Sequence, residues 1–268
     1  MHCVSQMNSH NTKDDIYSHP LNPIEPFKFD SHVARVFDDM IARSIPNYLQ
    51  MQKSISQLAQ DFAQPGTTVW DLGCSTGTTI ILLRESLQLL PVTLYGVDNS
   101  AAMIEQCRAK LNSLAIPLSL GIPTDSPPPK QTGPSVHLLC ADLQEATITN
   151  ASVVVLNYTL QFLAPGVRHR VLEKIVSGIV PGGLLIVSEK VTHSDPLLNT
   201  AINSLYLSFK QTQGYSELEI SQKREALENV LIPASIEENL ALIQHAGLPN
   251  PQLLCKQLNF ATFVAIKQ

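Results

Sequence analysis

The chain has 268 residues, 44% of them hydrophobic, and its 18 basic and 23 acidic residues give a net charge of −5. A chain of this size can bury one large core, while the acidic balance argues against direct nucleic-acid binding. The first 26 residues are polar and no apolar run approaches ~20 residues, which argues against a signal peptide and a membrane span. The five cysteines form no C-x-x-C pair. We therefore expect a soluble, cytoplasmic protein without disulfides or a metal site.

The N-terminal part is predicted to consist of an arm and two helices. Residues 1–26 are polar and contain prolines, and we interpret them as a mobile arm before a single domain over 27–268. Apolar residues recur at helical spacing from Asp30 to Phe62. Pro46 breaks this pattern because proline lacks a backbone donor. Two helices therefore precede the sheet.

Strand-like and helical segments alternate through the middle of the chain. This alternation predicts an α/β, Rossmann-like fold with a mostly parallel sheet, and the last two of its seven strands form a hairpin. The predicted strands are 68–72, 92–97, 136–140, 152–156, 184–188, 252–256 and 260–266, with Pro181-Gly182-Gly183 as the turn into the fifth strand.

The first strand runs into the most informative motif, Asp71-Leu72-Gly73-Cys74-Ser75-Thr76-Gly77. Its glycines let the backbone approach a ligand closely, and the second strand ends at Asp98, whose carboxylate can accept both ribose hydroxyl protons. Ser75 stands where the dinucleotide fingerprint has its second glycine, so a pyrophosphate is the weaker interpretation. The loop instead resembles motif I of the class I S-adenosylmethionine-dependent methyltransferases.

Two later strand ends are candidates for the same site. Asp142 and Leu143 follow the third strand, where similar positions of this fold meet the adenine edge, although Asp142 also fits a solvated loop carboxylate. Asn157 ends the fourth strand, on the side that faces the methionine part of the cofactor. Asparagine also favours turns on its own account, so a purely structural role for Asn157 stays open.

Two segments depart from a minimal α/β domain. Residues 116–135 hold six prolines and are predicted to be an exposed loop, to which we assign no chemistry. Residues 195–246 are predicted to form three helices, over 195–209, 217–230 and 236–246, that cover the site or make an interface. Capping boxes of the form S-x-x-E at Ser216 and Ser235 support two of the helix starts.

Arg224 is the most informative residue outside the fold core. Its spacing from Ile220, Leu227 and Leu231 predicts that the four residues share one edge of a helix. A guanidinium beside apolar neighbours needs an anion. The fork of an arginine suits a carboxylate ligand, but an internal acid explains the pattern about as well. Lys223 lies near the same edge, where it can snorkel.

Beyond motif I, the chain resembles one family along nearly its whole length, the carboxy-S-adenosylmethionine synthases. General methyltransferases do not share the block from Gly214 to Arg224, which carries the resemblance above all. The other residues that carry it are Phe29-Asp30, 36–41, 43–48, 71–75, 98–100, 154–163 and Ser188-Glu189-Lys190.

This resemblance implies an enzyme that uses S-adenosylmethionine as a substrate, with no metal. Prephenate is the implied second substrate: its decarboxylation supplies CO2 and removes a proton from the cofactor's methyl group, and the resulting ylide captures the CO2. Arg224 is then the implied catalytic residue, which holds the new carboxylate. The implied cofactor-binding residues are Tyr48, Gly73, Cys74, Ser75, Asp98, Asn99, Asp142, Leu143, Asn157 and Arg224.

The implied product is the carboxymethyl donor for wobble-uridine modification of tRNA, used by a separate tRNA carboxymethyltransferase, without direct nucleic-acid contact by this chain. A homodimer is expected from the extra helices and the resemblance. Two features are enlarged relative to the compact form of the family, the arm before Pro26 and the proline-rich segment. Two alternatives stay open: an ordinary methyltransferase acting on a small acid, and a cofactor-binding partner subunit without chemistry.

Overall fold

The computed structural model describes residues 12–118 and 133–268. Their helices are α1 (Ser31–Ser44), α2 (Tyr48–Phe62), α3 (Thr78–Ser86), α4 (Ala101–Ser113), α5 (Pro165–Ser177), α6 (Pro196–Thr212), α7 (Glu217–Ala226) and α8 (Ile236–His245). Their strands are β1 (Thr68–Leu72), β2 (Thr93–Asp98), β3 (Ser135–Cys140), β4 (Ala151–Asn157), β5 (Ile179–Thr192), β6 (Ala234–Ser235), β7 (Gln252–Gln257) and β8 (Phe260–Ile266).

The sheet has the order β3-β2-β1-β4-β5-β8-β7, and β6 pairs with β5 beside this path. The strands from β3 to β5 are parallel, and β8 is antiparallel to both β5 and β7. The predicted α/β, Rossmann-like fold with a final hairpin is thereby confirmed. The strand count differs slightly, since the two-residue β6 was not predicted.

Two buried clusters cover the two faces of the sheet. One includes Leu172 and Ile243 from α5 and α8, and the other includes Ile55, Ile80 and Leu111 from α2, α3 and α4. The central strand β4 is buried through residues 151–156, which is typical of a parallel strand covered on both sides. The ends of β1, β2 and β4 therefore open onto one edge, where a doubly wound sheet binds its ligands.

Several predicted boundaries need correction. Pro181-Gly182-Gly183 does not precede the fifth strand but lies inside β5, at an irregularity where the register against β4 shifts. The helix predicted over 217–230 ends at Ala226. The break at Pro46 is confirmed, because α1 ends at Ser44 and α2 begins at Tyr48.

Part of the predicted arm packs on the domain. Residues 1–11 lie outside the described residues, but Tyr17 and Phe27 are buried in a cluster with α1 and α7. The Gln222 amide of α7 donates to the carbonyl oxygens of Tyr17 and His19, at 3.0 and 2.9 Å. Of the proline-rich segment, residues 119–132 also lie outside the described residues.

Candidate active site

The loop between β1 and α3 is held tightly against the sheet. The backbone N–H groups of Gly73 and Cys74 both donate to the Val97 carbonyl oxygen, at 2.8 and 3.0 Å. Gly73 has a φ of 83°, and a Cβ there would lie 2.4 Å from the Thr159 hydroxyl oxygen. Only glycine combines this left-handed backbone with this close approach. The motif thus fixes a turn at the carboxyl edge of the sheet.

Asp98 ties the end of β2 to this loop. One carboxylate oxygen accepts from the Ser75 backbone N–H and the other from that of Ser100, both at 2.9 Å. Burial raises the pKa of Asp98, and these two hydrogen bonds act against that rise. Ser75 takes a left-handed φ of 48°, which explains why glycine is the more usual residue at this place in the motif.

A cavity of about 370 Å³ lies over these strand ends, within the range of small-molecule sites. Nine of the ten predicted cofactor-binding residues line it: Tyr48, Gly73, Cys74, Ser75, Asp98, Asn99, Asp142, Leu143 and Asn157. Aromatic side chains that were not among the predicted site residues form much of the remaining wall: Phe27, Phe29, Phe37, Tyr158, Phe162, Tyr206 and Phe260. The structure thus brings residues from four strand ends and from α2 to one cavity.

Two buried polar side chains at this edge have unmet hydrogen-bonding capacity. The Asn157 side-chain oxygen lines the cavity side of β4 and has no hydrogen-bond partner within the described part of the chain. Both carboxylate oxygens of Asp71 are likewise unpartnered among those residues. Burial, with the nearby charge of Asp98, raises the pKa of Asp71 to about 8. An unpaired buried acceptor is costly, so the Asn157 oxygen fits a ligand that brings a donor such as an ammonium group.

Cys74 is a packed thiol rather than a reactive one. It is buried, and its pKa is raised by a hydrogen bond with the Cys107 thiol and by burial. A thiolate nucleophile needs the opposite shift.

The structure does not bring Arg224 to the cavity of its own chain. Its side chain is exposed and is absent from the cavity wall, whereas the adjacent Lys223 is buried and lines the cavity. Of the predicted edge, Ile220 is buried and Leu227 and Leu231 line the cavity, so Arg224 is the member that the structure turns away from it. Leu227 and Leu231 lie beyond the end of α7 at Ala226, so the helical spacing that linked them to Arg224 does not hold over this segment.

Sequence reasoning also missed Lys190 and Lys210, which line the cavity together with Lys223. Lys190 lies near the end of β5, and Lys210 is in the last turn of α6. Lys210 is the one buried residue of the 17 in that helix. A single buried lysine in a helix that has no other buried residue gives no periodic signal, and only the fold shows that it is covered.

No helix of the described residues is long and apolar enough to cross a membrane. Over residues 12–118 and 133–268, three or more His, Cys, Asp or Glu side chains nowhere come together in a way that could hold a metal ion.

Comparisons with known proteins agree with this geometry. A family model described as a methyltransferase domain matches residues 70–187. The carboxy-S-adenosyl-L-methionine synthase of Aliivibrio fischeri is 43% identical, over 95% of this chain and 98% of that protein. That of Trichlorobacter lovleyi is 44% identical over the same shares.

One similar solved structure is that of magnesium protoporphyrin IX methyltransferase from Synechocystis with bound SAH. The two structures align with a TM-score of 0.54 at 15% identity, over 87% of this chain and 94% of that one. At this identity the likeness concerns the fold alone. The two synthases show a closer relationship, because they match this chain over nearly its whole length. The chain belongs to the carboxy-S-adenosyl-L-methionine synthase family, S-adenosylmethionine-dependent transferases built on the class I methyltransferase fold.

Proposed function

We propose that the protein converts S-adenosylmethionine and prephenate into carboxy-S-adenosylmethionine and phenylpyruvate. The ring carbon–carboxylate bond of prephenate breaks, and its electron pair completes the aromatic ring as the ring hydroxyl leaves as hydroxide. The hydroxide takes up one methyl proton to give water, and the methyl carbon forms a bond to the released CO2. S-adenosylmethionine supplies a methyl group made acidic by the neighbouring positive sulfur.

The observation that carries this proposal is the composition of the cavity wall. Predicted cofactor residues and three lysines line the same space. In the proposed complex, Asp98 accepts hydrogen bonds from the ribose hydroxyls, and the free oxygen of Asn157 accepts from the amino group of the methionine part. The lysines supply the positive charge that an anionic second substrate requires. The aromatic wall excludes water, which would otherwise hydrate CO2.

A homodimer is part of the proposal and gives Arg224 a role. Helix α6 exposes Leu197, Leu198 and Leu205, with exposed fractions of 83, 50 and 58%. Such an apolar face is typical of an interface. Because the guanidinium is exposed on its own chain, Arg224 can hold the new carboxylate only if a second copy of the chain brings it to the cavity. Its fork would then match a carboxylate in two-point contact.

The destination of the product is also proposed from the resemblance. Carboxy-S-adenosylmethionine would leave for a separate tRNA carboxymethyltransferase that modifies wobble uridine, in the cytoplasm. The acidic balance of the chain, 23 acidic against 18 basic residues, agrees with an enzyme that does not itself hold RNA.

One assay tests the proposal against its alternatives. The purified protein is incubated with S-adenosylmethionine, with and without prephenate, and the masses of the nucleoside products are measured by mass spectrometry. We expect a prephenate-dependent nucleoside that is heavier by one CO2. Demethylated cofactor with a methylated acid would instead indicate an ordinary methyltransferase, and an unchanged cofactor would indicate a binding subunit.

A further inference from the structure

Three lysines from three consecutive elements of the chain line the cavity. Lys190 comes from β5, Lys210 from α6 and Lys223 from α7, and we name them the lysine cluster. Lys210 and Lys223 are only 5 and 6% exposed. Lysines are almost never buried to this extent unless they are paired. The cluster therefore needs an explanation beyond snorkelling.

Two tyrosine rings hold the lysine cluster together. The Lys190 Nζ lies 5.2 Å from the ring centroid of Tyr206, and the Lys210 Nζ lies 6.0 Å from that of Tyr206 and 5.0 Å from that of Tyr215. The Lys223 Nζ lies 5.6 Å from that of Tyr215. Cation–π contacts fix the positions of these charges without neutralising them.

Within the described residues, acidic groups neutralise only part of this charge. The Lys223 Nζ lies 3.7 Å from an Asp14 carboxylate oxygen, but neither of the other two ammonium groups has an ion pair or a hydrogen bond there. The nearby guanidinium of Arg43 is already paired with Asp39 at 2.6 Å. With all three lysines protonated, the one directly paired acid, Asp14, leaves an excess of two positive charges, and Glu219, which makes no ion pair with the cluster, offsets it only in part. Buried charge of this kind is stable only beside a counter-ion.

We infer that the lysine cluster is the site that binds the carboxylates of the second substrate, a dianion with a six-membered ring. The charge excess of the cluster matches a dianion, and Tyr206 and Phe260, which lie edge to face with centroids 5.4 Å apart, offer an aromatic wall to the ring. Lysine is a point charge on a flexible stem, so it can follow a substrate whose charge changes when CO2 is lost. This inference rests on the proposed function, and it assigns residues to a substrate for which the sequence offered none.

Asp14 contacts both a tyrosine ring and a lysine of the cluster. Asp14 is buried, and its carboxylate accepts a hydrogen bond from the Tyr215 hydroxyl at 2.7 Å. It therefore fixes both the ring and the one lysine that it pairs with. The segment after residue 11 thus acts as a positioning element for the lysine cluster.

Steady-state kinetics of matched variants test the inference. Lys210→Met and Lys190→Met remove one charge each while keeping an unbranched chain, and Lys210→Arg keeps the charge. Lys53→Met, at an exposed position of α2 that does not line the cavity, is the control. Loss of one charged contact is expected to raise the KM for prephenate roughly tenfold to a hundredfold. The affinity for S-adenosylmethionine, measured by calorimetry, should change less than about twofold, and Lys210→Arg should recover part of the loss.

The outcomes separate this inference from the proposed function. If the wild type forms no heavier nucleoside with prephenate, the proposed function fails. If the wild type is active but both methionine variants keep the wild-type KM for prephenate, the lysine cluster is not the substrate site. A parallel rise in the dissociation constant of S-adenosylmethionine would also overturn the inference. Because the two variants lie on different elements, misfolding of one leaves the other as the test.

Discussion

Replacing Asp71 by asparagine is expected to change how the stability of the ligand-free protein depends on pH. The Asp71 carboxyl group is fully buried at the end of β1, and its pKa is raised to about 8 by burial and by the charge of Asp98. In the unfolded chain the same group titrates near ~4. Between these two values the native state holds a proton that the unfolded state has released. The free energy of unfolding therefore falls as pH rises through this window.

The size of the effect follows from linkage. One such group lowers the free energy of unfolding by about 1.4 kcal/mol per pH unit until the native group itself begins to ionise near its raised pKa. From pH 6 to pH 8 this amounts to about 2 kcal/mol, or a fall of about 4–8 °C in the melting temperature for a domain of this size. Asparagine cannot ionise, so Asp71→Asn should lack this component.

Thermal melts of the wild type and Asp71→Asn at pH 6 and pH 8 measure this difference. Other buried groups such as Glu189, whose pKa burial raises to about 8, titrate in both proteins and cancel when the two pH slopes are compared. Asp61→Asn, at an exposed position, is the matched control and should keep the wild-type slope. Equal slopes in the wild type and Asp71→Asn would mean that the carboxyl group ionises in the folded protein near its ordinary pKa.

Four further predictions concern the site. Asp98→Ala should weaken binding of S-adenosylmethionine tenfold to a hundredfold, a loss of ~1.5–3 kcal/mol; an unchanged affinity by calorimetry would remove Asp98 from the site. Gly73→Ala should lower the free energy of unfolding by about 2–4 kcal/mol in denaturant melts, because it combines a left-handed backbone with a contact at Thr159; a melt like that of the wild type would contradict this. Arg224→Leu should abolish carboxylation and leave the fold and cofactor binding intact; normal turnover would refute its role. The KM for prephenate should rise between pH 7 and pH 9. Burial and the neighbouring lysines lower the pKa of Lys210 to about 7, and burial and Arg43 lower that of Lys223 to about 8, so both lysines lose their charge in this window despite the nearby Asp14 and Glu219. A KM that does not change with pH would show that neither charge contributes to binding.

The strands were predicted well because their signal is local. The bounds of β1 and β8 agree with the prediction, and the hydrophobic runs of β2, β3 and β4 differ by a residue or so at their ends. Ser216 and Ser235 start their helices as predicted, since each side chain accepts from the backbone N–H three residues later. The cofactor residues could be predicted for a similar reason. Parallel strands that end at one edge of a sheet bring their last residues together, and this does not depend on the packing of individual side chains.

The errors lie where packing decides. The chain continues as a strand through Pro181-Gly182-Gly183 because the residue after β8 continues the pairing there: the Gly182 backbone N–H donates to the carbonyl oxygen of Lys267 at 2.7 Å. Arg224 and Lys223 are adjacent, and the choice of which one faces the cavity depends on how α7 rotates against α1 and the segment before it. No spacing rule within one helix contains that information.

The sequence by itself determined the alternation of strands and helices, the tight turn at Gly73 and the acid at Asp98, because each depends on residues close in the chain. Only the tertiary structure decided which cations are buried. Lys190, Lys210 and Lys223 come together because β5, α6 and α7 pack around Tyr206 and Tyr215. The burial of a charge is a property of all the elements that surround it, and here these include Asp14 before α1 and Phe260 in β8, which are far apart in the sequence.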